Sequence, residues 1–160
     1  MIHFAFCDFD NQEHKHALCM LLNHYMSDPM GDHPPLSTQE QLRLVNDLKE
    51  HPTAEVLFVL HGNRYVGMAT TFINYSTFNL KPYLYIHDVV ILNESRGLGL
   101  GKELINKLIE ISEQRGYCKL TLEVHEDNAS AKSLYSKLGF RECEPRMHFW
   151  TRKLSFSENS

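Results

Sequence analysis

Apolar positions along the chain alternate between two spacings, and the switches mark the elements. Ala17, Leu18, Leu21, Leu22 and Tyr25 recur at helical intervals, so a first helix runs to about Tyr25. Asp10 with Glu13 three residues later reads as its capping box. Residues 28–35 hold prolines and a glycine and cannot continue that helix. Ser37 with Glu40 forms a second capping box. Leu44, Val45 and Leu48 give the next helix its stripe, and Pro52 marks its end. Residues 56–60 are a continuous apolar run of strand length. Gly62-Asn63 then turns the chain into a returning strand at 65–74. A further strand spans 83–92, followed by a glycine-rich loop at 93–100. Leu104, Ile105, Leu108 and Ile111 place a third helix, closed by Gly116. Residues 119–124 read as a strand. Ala131, Leu134, Tyr135 and Leu138 mark a fourth helix, closed by Gly139, and 146–154 read as a last strand.

With the short β-rich run Ile2–Phe6 at the start, the order is β-α-α-β-β-β-α-β-α-β. This is an α/β pattern, α+β in some schemes: a mixed, mostly antiparallel sheet with helices on both faces. Residues 1–154 form one expected domain, and 155–160 a frayed tail.

Composition narrows the class. A chain of 160 residues buries about two thirds of its unfolded surface. Hydrophobic residues make up 42% and charged residues 22%, the balance of a globular rather than a disordered chain. Sixteen basic against twenty acidic residues argue against a nucleic-acid partner. No apolar stretch approaches the length of a membrane span. The start lacks the pattern of a secretory leader, and Cys7, Cys19, Cys118 and Cys143 show no paired motif, so a cytoplasmic protein with free thiols is expected. Histidine is abundant, but His14 and His16 lie off one helical face and no zinc spacing occurs, so no metal is expected.

The chemistry concentrates in Arg96-Gly97-Leu98-Gly99-Leu100-Gly101-Lys102, between a long strand and an amphipathic helix. Glycines let the backbone approach a ligand closely. The first turn of the helix offers unpaired N–H groups and the positive end of its dipole, which together suit phosphate. The spacing is not G-x-x-x-x-G-K-S/T. It also departs from the dinucleotide fingerprint, because the third glycine comes one residue early, although Glu123 lies near the place of a ribose-binding acid.

This loop resembles the pyrophosphate motif of the GNAT superfamily of acyl-CoA N-acyltransferases, Arg/Gln-x-x-Gly-x-Gly/Ala. A second GNAT signature is matched by Leu122-Glu123-Val124, Asn128, Ala131, Leu134-Tyr135 and Gly139-Phe140. The diamine-acetylating, small-amine branch is the nearest in character. The resemblance covers about 83–140 by motif and nearly the whole chain by element order. It implies a GNAT fold with acetyl-CoA as co-substrate and no metal. Pyrophosphate would lie on the N–H groups of Gly97, Leu98, Gly99, Leu100, Gly101 and Lys102, with Arg96 at the edge. The pantetheine arm would pair with the backbone of Val89, Val90 and Ile91 where two strands splay apart, and Asn128 would bond the arm. Asn128 also reads locally as a helix N-cap, and both roles are open.

The reaction implied is amine attack on a thioester. An alkyl ammonium with pKa near 10.4 is a free amine in only about one molecule in 2,500 at pH 7, a deficit of roughly 4.6 kcal/mol. The enzyme must therefore recruit the neutral amine or remove its proton, and a base is sought for the second. Where the small-amine branch carries two acids, this chain has His87-Asp88. Alternation puts His87 with Tyr85 and Val89, and Asp88 on the opposite face. An N–H near Val89 or Val90 is the expected oxyanion donor. By resemblance Tyr135 protonates the leaving thiolate. Tyr25, Asp28 and Asp32, with Tyr75 and Phe78 across the cleft, are the expected acceptor residues, since carboxylates and rings suit an ammonium. The expected partners are a small primary amine and, from the family, a second copy in a homodimer. A CoA-binding module without turnover and a dinucleotide-binding domain stay open as alternatives.

Overall fold

The computed structural model describes residues 1–29, 31 and 33–156. Five strands lie side by side in chain order: β1 (Ile2–Phe6), β2 (Glu55–His61), β3 (Arg64–Ser76), β4 (Lys81–Ile91) and β5 (Leu120–Leu122). The first three pairings are antiparallel and β4–β5 is parallel, so the sheet is mixed and mostly antiparallel. Helices α1 (Gln12–Ser27) and α2 (Thr38–Glu50) precede β2. Helix α3 (Leu100–Gln114) joins β4 to β5, and α4 (Ala129–Lys137) follows.

The sheet separates two apolar cores. On one face Leu18, Leu21 and Leu22 of α1 and Val45 of α2 pack on Phe58, Met68 and Val90. On the other, Leu104, Ile105 and Leu108 of α3 pack on Leu57, Val59, Val66, Leu84 and Ile86, with Tyr135 and Phe140 at the margin. Alternation along each strand accounts for this division.

Local signals set the helix ends. Ser37 and Glu40 close the expected capping box on α2. The start of α1 differs from expectation: Asn11, not Asp10, is the N-cap, its side chain accepting from His14 N at 3.0 Å. The Asp10 carboxylate is held instead by Lys49 at 2.7 Å. Helix α4 ends in a Schellman turn. Phe140 N donates to Tyr135 O, Gly139 N donates to Ser136 O, and Gly139 takes a φ of 97°. The expected strand at 146–154 does not form. After α4 the described chain carries no helix or strand, and Phe149 and Trp150 are 80% and 89% exposed. No described strand pairs with this segment, and its large side chains stay in solvent.

β4 carries the fold's most consequential irregularity. Thr70 of β3 faces Asp88, and the next residue, Thr71, faces Ile86, so His87 is an extra residue with no partner. Before this bulge the even residues Leu84 and Ile86 face α3. Beyond it Val89 and Ile91 do, while Val90 joins the α1 core.

Candidate active site

The bulge overturns the expected separation of His87 from Asp88. Asp88 faces the same side as its partner Thr70 and as the pair Met68–Val90, which is the α1 side. Tyr85, paired with Phe72, lies on that side too, because Ile73 and Leu84 face α3. The His87 ring contacts both Phe72 and Tyr85, with centroids 5.8 and 5.6 Å apart. Burial pushes the Asp88 carboxyl above the usual carboxylate range, against the pull of His87 and a polar contact with Thr70.

Tyr25, near the end of α1, is the hub opposite. Burial, then the charges of Asp88 and Asp28, raise its hydroxyl pKa. Tyr135 on α4 is raised by burial and by Tyr25. Tyr25 of α1 therefore lies within electrostatic reach of Asp88 on β4 and of Tyr135 on α4. The Tyr135 ring is held by Phe140, 5.8 Å away, so the Schellman turn also fixes this side chain.

β5 ends at Leu122, opposite Ile86, so β4 from 87 to 91 has no strand on that edge. Here the sheet opens beside the expected pantetheine positions Val89, Val90 and Ile91. Their side chains pack into the two cores, which leaves backbone facing the gap. A 3₁₀ turn, Asn93–Ser95, then leads into the glycine loop. Gly97 and Gly99 take φ of 83° and 75°, and a Cβ built on either meets nothing within 4 Å. Gly99 is the N-cap of α3. Among the described residues, no acceptor receives the N–H groups of 97–102; the first bond is Glu103 N to Gly99 O at 3.1 Å. Six N–H groups without a protein acceptor, beside two glycines whose Cβ positions are open, fit a diphosphate, and the residues present therefore suit acetyl-CoA.

Residues 18–140 match the Acetyltransferase (GNAT) family. The chain belongs to this family. Glucosamine 6-phosphate N-acetyltransferase of Trypanosoma brucei brucei is 38% identical over 119 residues, 71% of this chain and 77% of that protein. Ribosomal protein bS18-alanine N-acetyltransferase of Haemophilus influenzae is 37% identical over 75 residues, 47% of this chain and 51% of that one. Thialysine N-epsilon-acetyltransferase of Bos taurus is 32% identical over 77 residues, 48% of this chain and 45% of that one. The chain thus spans about half the length of the latter two. An aminoglycoside acetyltransferase from an uncultured soil metagenomic sample shares the fold, with TM-score 0.77, 17% identity and coverage of 96% and 97%.

Against this GNAT frame the other expected residues sort clearly. Asn128 is the N-cap of α4, its Oδ1 accepting from Ala131 N at 3.2 Å and from Ser130 Oγ at 3.3 Å, so only its NH₂ remains to reach a ligand. Asp28 is the C-cap of α1, and its carboxylate accepts from Arg96 at 3.3 Å, tying the first helix to the glycine loop. Arg96 also donates to Ile91 O at 3.4 Å. Asp32 lies outside the described residues. Tyr75 and Phe78 sit at the far end of the β3–β4 hairpin, 58% and 98% exposed. Tyr75 is five residues from Thr70, roughly 17 Å along the strand, so it does not join Asp88.

One contributor carries no motif. A Cβ on Gly67 would lie 2.7 Å from Val90 O, so the open edge of β4 needs a glycine behind it. A lone glycine inside a strand pattern is the signal for such a contact. Among the described residues, no cluster of three or more His, Cys, Asp or Glu is placed to hold a metal ion. No described helix is long and apolar enough to cross a membrane.

Proposed function

We propose that this GNAT chain transfers the acetyl group of acetyl-CoA to a small primary amine by direct attack. The observation that carries the reading is the run of free N–H groups at 97–102, continuous with the unpaired β4 edge that leads to His87 and Asp88. Bound there, acetyl-CoA supplies the activated acyl group. An N–H of Val89 or Val90 is suited to steady the oxyanion.

The protons balance as follows. The ammonium gives one proton to the His87–Asp88 pair, which passes it to water. The neutral amine forms the C–N bond, and the C–S bond breaks with its electron pair on sulfur. Tyr135 gives its proton to the thiolate and recovers one from the nitrogen. The raised Tyr135 pKa keeps the hydroxyl protonated until it is needed. No covalent enzyme intermediate is required.

For the acceptor, Asp88, whose charge reaches the Tyr25 hydroxyl, offers a half-buried carboxylate with an aromatic residue nearby, a combination that suits an ammonium. Glucosamine 6-phosphate and thialysine, in the names of two relatives, are small amines, while a third relative's name specifies a ribosomal protein's alanine. A panel of small amines, amino sugars and peptides, assayed by release of CoA thiol, tests the reading. Turnover is expected with small amines. Reaction with peptides alone overturns the acceptor class, and no thiol release with any acceptor overturns the transfer itself.

A further inference from the structure

Beside β4 runs a hydrogen-bond chain that the reaction above leaves unused. The Tyr85 hydroxyl donates to Glu123 Oε1 at 2.9 Å, and the same oxygen lies 3.2 Å from His87 Nδ1. A phenol has a single proton, and a carboxylate only accepts, so that proton is committed to Glu123. Burial, together with the bond to Glu123, pushes the Tyr85 hydroxyl up to about 12, which keeps the proton in place at neutral pH. The Tyr85 oxygen can then only accept from the imidazole, and Nδ1 must carry the hydrogen. In a neutral imidazole one ring nitrogen is a donor and the other an acceptor, so Nε2 is the nitrogen with the lone pair. The rings of Phe72 and Tyr85, both at steep angles to the imidazole, hold its plane.

We propose that Glu123 and Tyr85 are positioning residues that lock His87 in the Nδ1–H tautomer and so aim Nε2 at the acceptor amine. This deepens the acyl-transfer reading and rests on it. The ammonium N–H bond breaks and its proton moves to Nε2. The imidazolium keeps its Nδ1–H bond to Tyr85, with the Glu123 charge one hydroxyl away. His87 is exposed, so the proton then leaves to water. The charged and titratable groups around the ring are Tyr85 and Asp88 on β4 and Glu123 beyond β5. Phe72 of β3 is uncharged and also contacts His51, and Tyr25 of α1 acts through Asp88.

The test reads the tautomer directly. Long-range proton–nitrogen correlation spectra of protein labelled with ¹⁵N-histidine, with His87 assigned by its loss in His87→Gln, should show Nδ1 protonated and Nε2 bare in the neutral ring. Tyr85→Phe keeps the aromatic packing and should move the proton to Nε2. Both Tyr85→Phe and Glu123→Gln should lower kcat by about tenfold or more, with acetyl-CoA affinity unchanged. A wild-type Nε2–H tautomer, or kinetics unmoved in both variants, would overturn the proposal. Full thiol release in those same variants leaves the transfer reading standing, whereas absence of thiol release in the wild type removes that reading while the spectrum still judges the tautomer.

Discussion

Arg96 stands between two regions made of different materials. On its C-terminal side the proposed anion site is backbone: N–H groups, two left-handed glycines and the first turn of α3. On the other side, Tyr25, Asp28 and Asp88 are side chains contributed by α1, its capping turn and the middle of β4. A backbone site depends on local conformation, so a few residues in sequence specify it. A side-chain site depends on which distant segments meet, and single changes tune it. The first region can therefore serve a ligand common to a whole family, while the second can vary with the acceptor.

The largest expected effect falls on the residue that closes the side-chain region. Tyr135→Phe keeps the ring against Phe140 and removes only the hydroxyl. Turnover should fall about a hundredfold, the scale of a lost acid catalyst, with the calorimetric affinity for acetyl-CoA retained. A change within about twofold would remove Tyr135 from the role of acid.

Gly99→Val probes the backbone region. At φ 75° a side chain adds strain of roughly 1–2 kcal/mol, and its atoms enter the space left for phosphate. Acetyl-CoA should bind at least about tenfold more weakly to a chain that circular dichroism shows is folded. Undiminished affinity would break the assignment of this loop.

Asp28→Asn tests whether the two regions are independent. The carboxylate is bonded to Arg96, so its loss should raise KM for acetyl-CoA as well as for the amine, each by about two- to fivefold, the range of a partly exposed ion pair. An effect on the amine alone would show that the pair does not organise the loop.

The smallest effect concerns stability. Burial places the Asp88 pKa above its value in the unfolded chain. Between those two values the folded state holds more protons, so stability falls as pH rises through the window and stays reduced above it. Asp88→Asn removes the buried charge. It should melt higher than wild type at neutral pH, and the gap should close as pH falls below the window. No gain at neutral pH would mean that the contacts with Thr70 and His87 outweigh the cost of burial.

The same division of materials decides what could be read from the chain alone. Leu104, Ile105 and Leu108 announced α3, and Ser37 with Glu40 announced the start of α2, because both signals are local. Asp10 misled because Lys49, far along the chain, takes its carboxylate. The apolar residues of 146–154 show that a strand is possible there, but not whether an edge is available to receive it. The bond from Arg96 to Asp28 joins residues 68 apart, and nothing in either neighbourhood encodes it. The bulge at His87 escaped periodicity for a related reason: one extra residue shifts a pattern without leaving a mark of its own.

That extra residue has a genetic consequence. With Thr70 opposite Asp88 and Thr71 opposite Ile86, His87 is the one position between them whose removal would leave every flanking side chain on its present face. Loss of a single codon would then yield a regular β4 with the glycine loop intact. On the reading proposed above, a sister gene lacking that codon would keep the glycine loop and lose the imidazole. The distance between a working copy and a silent one would then be three bases.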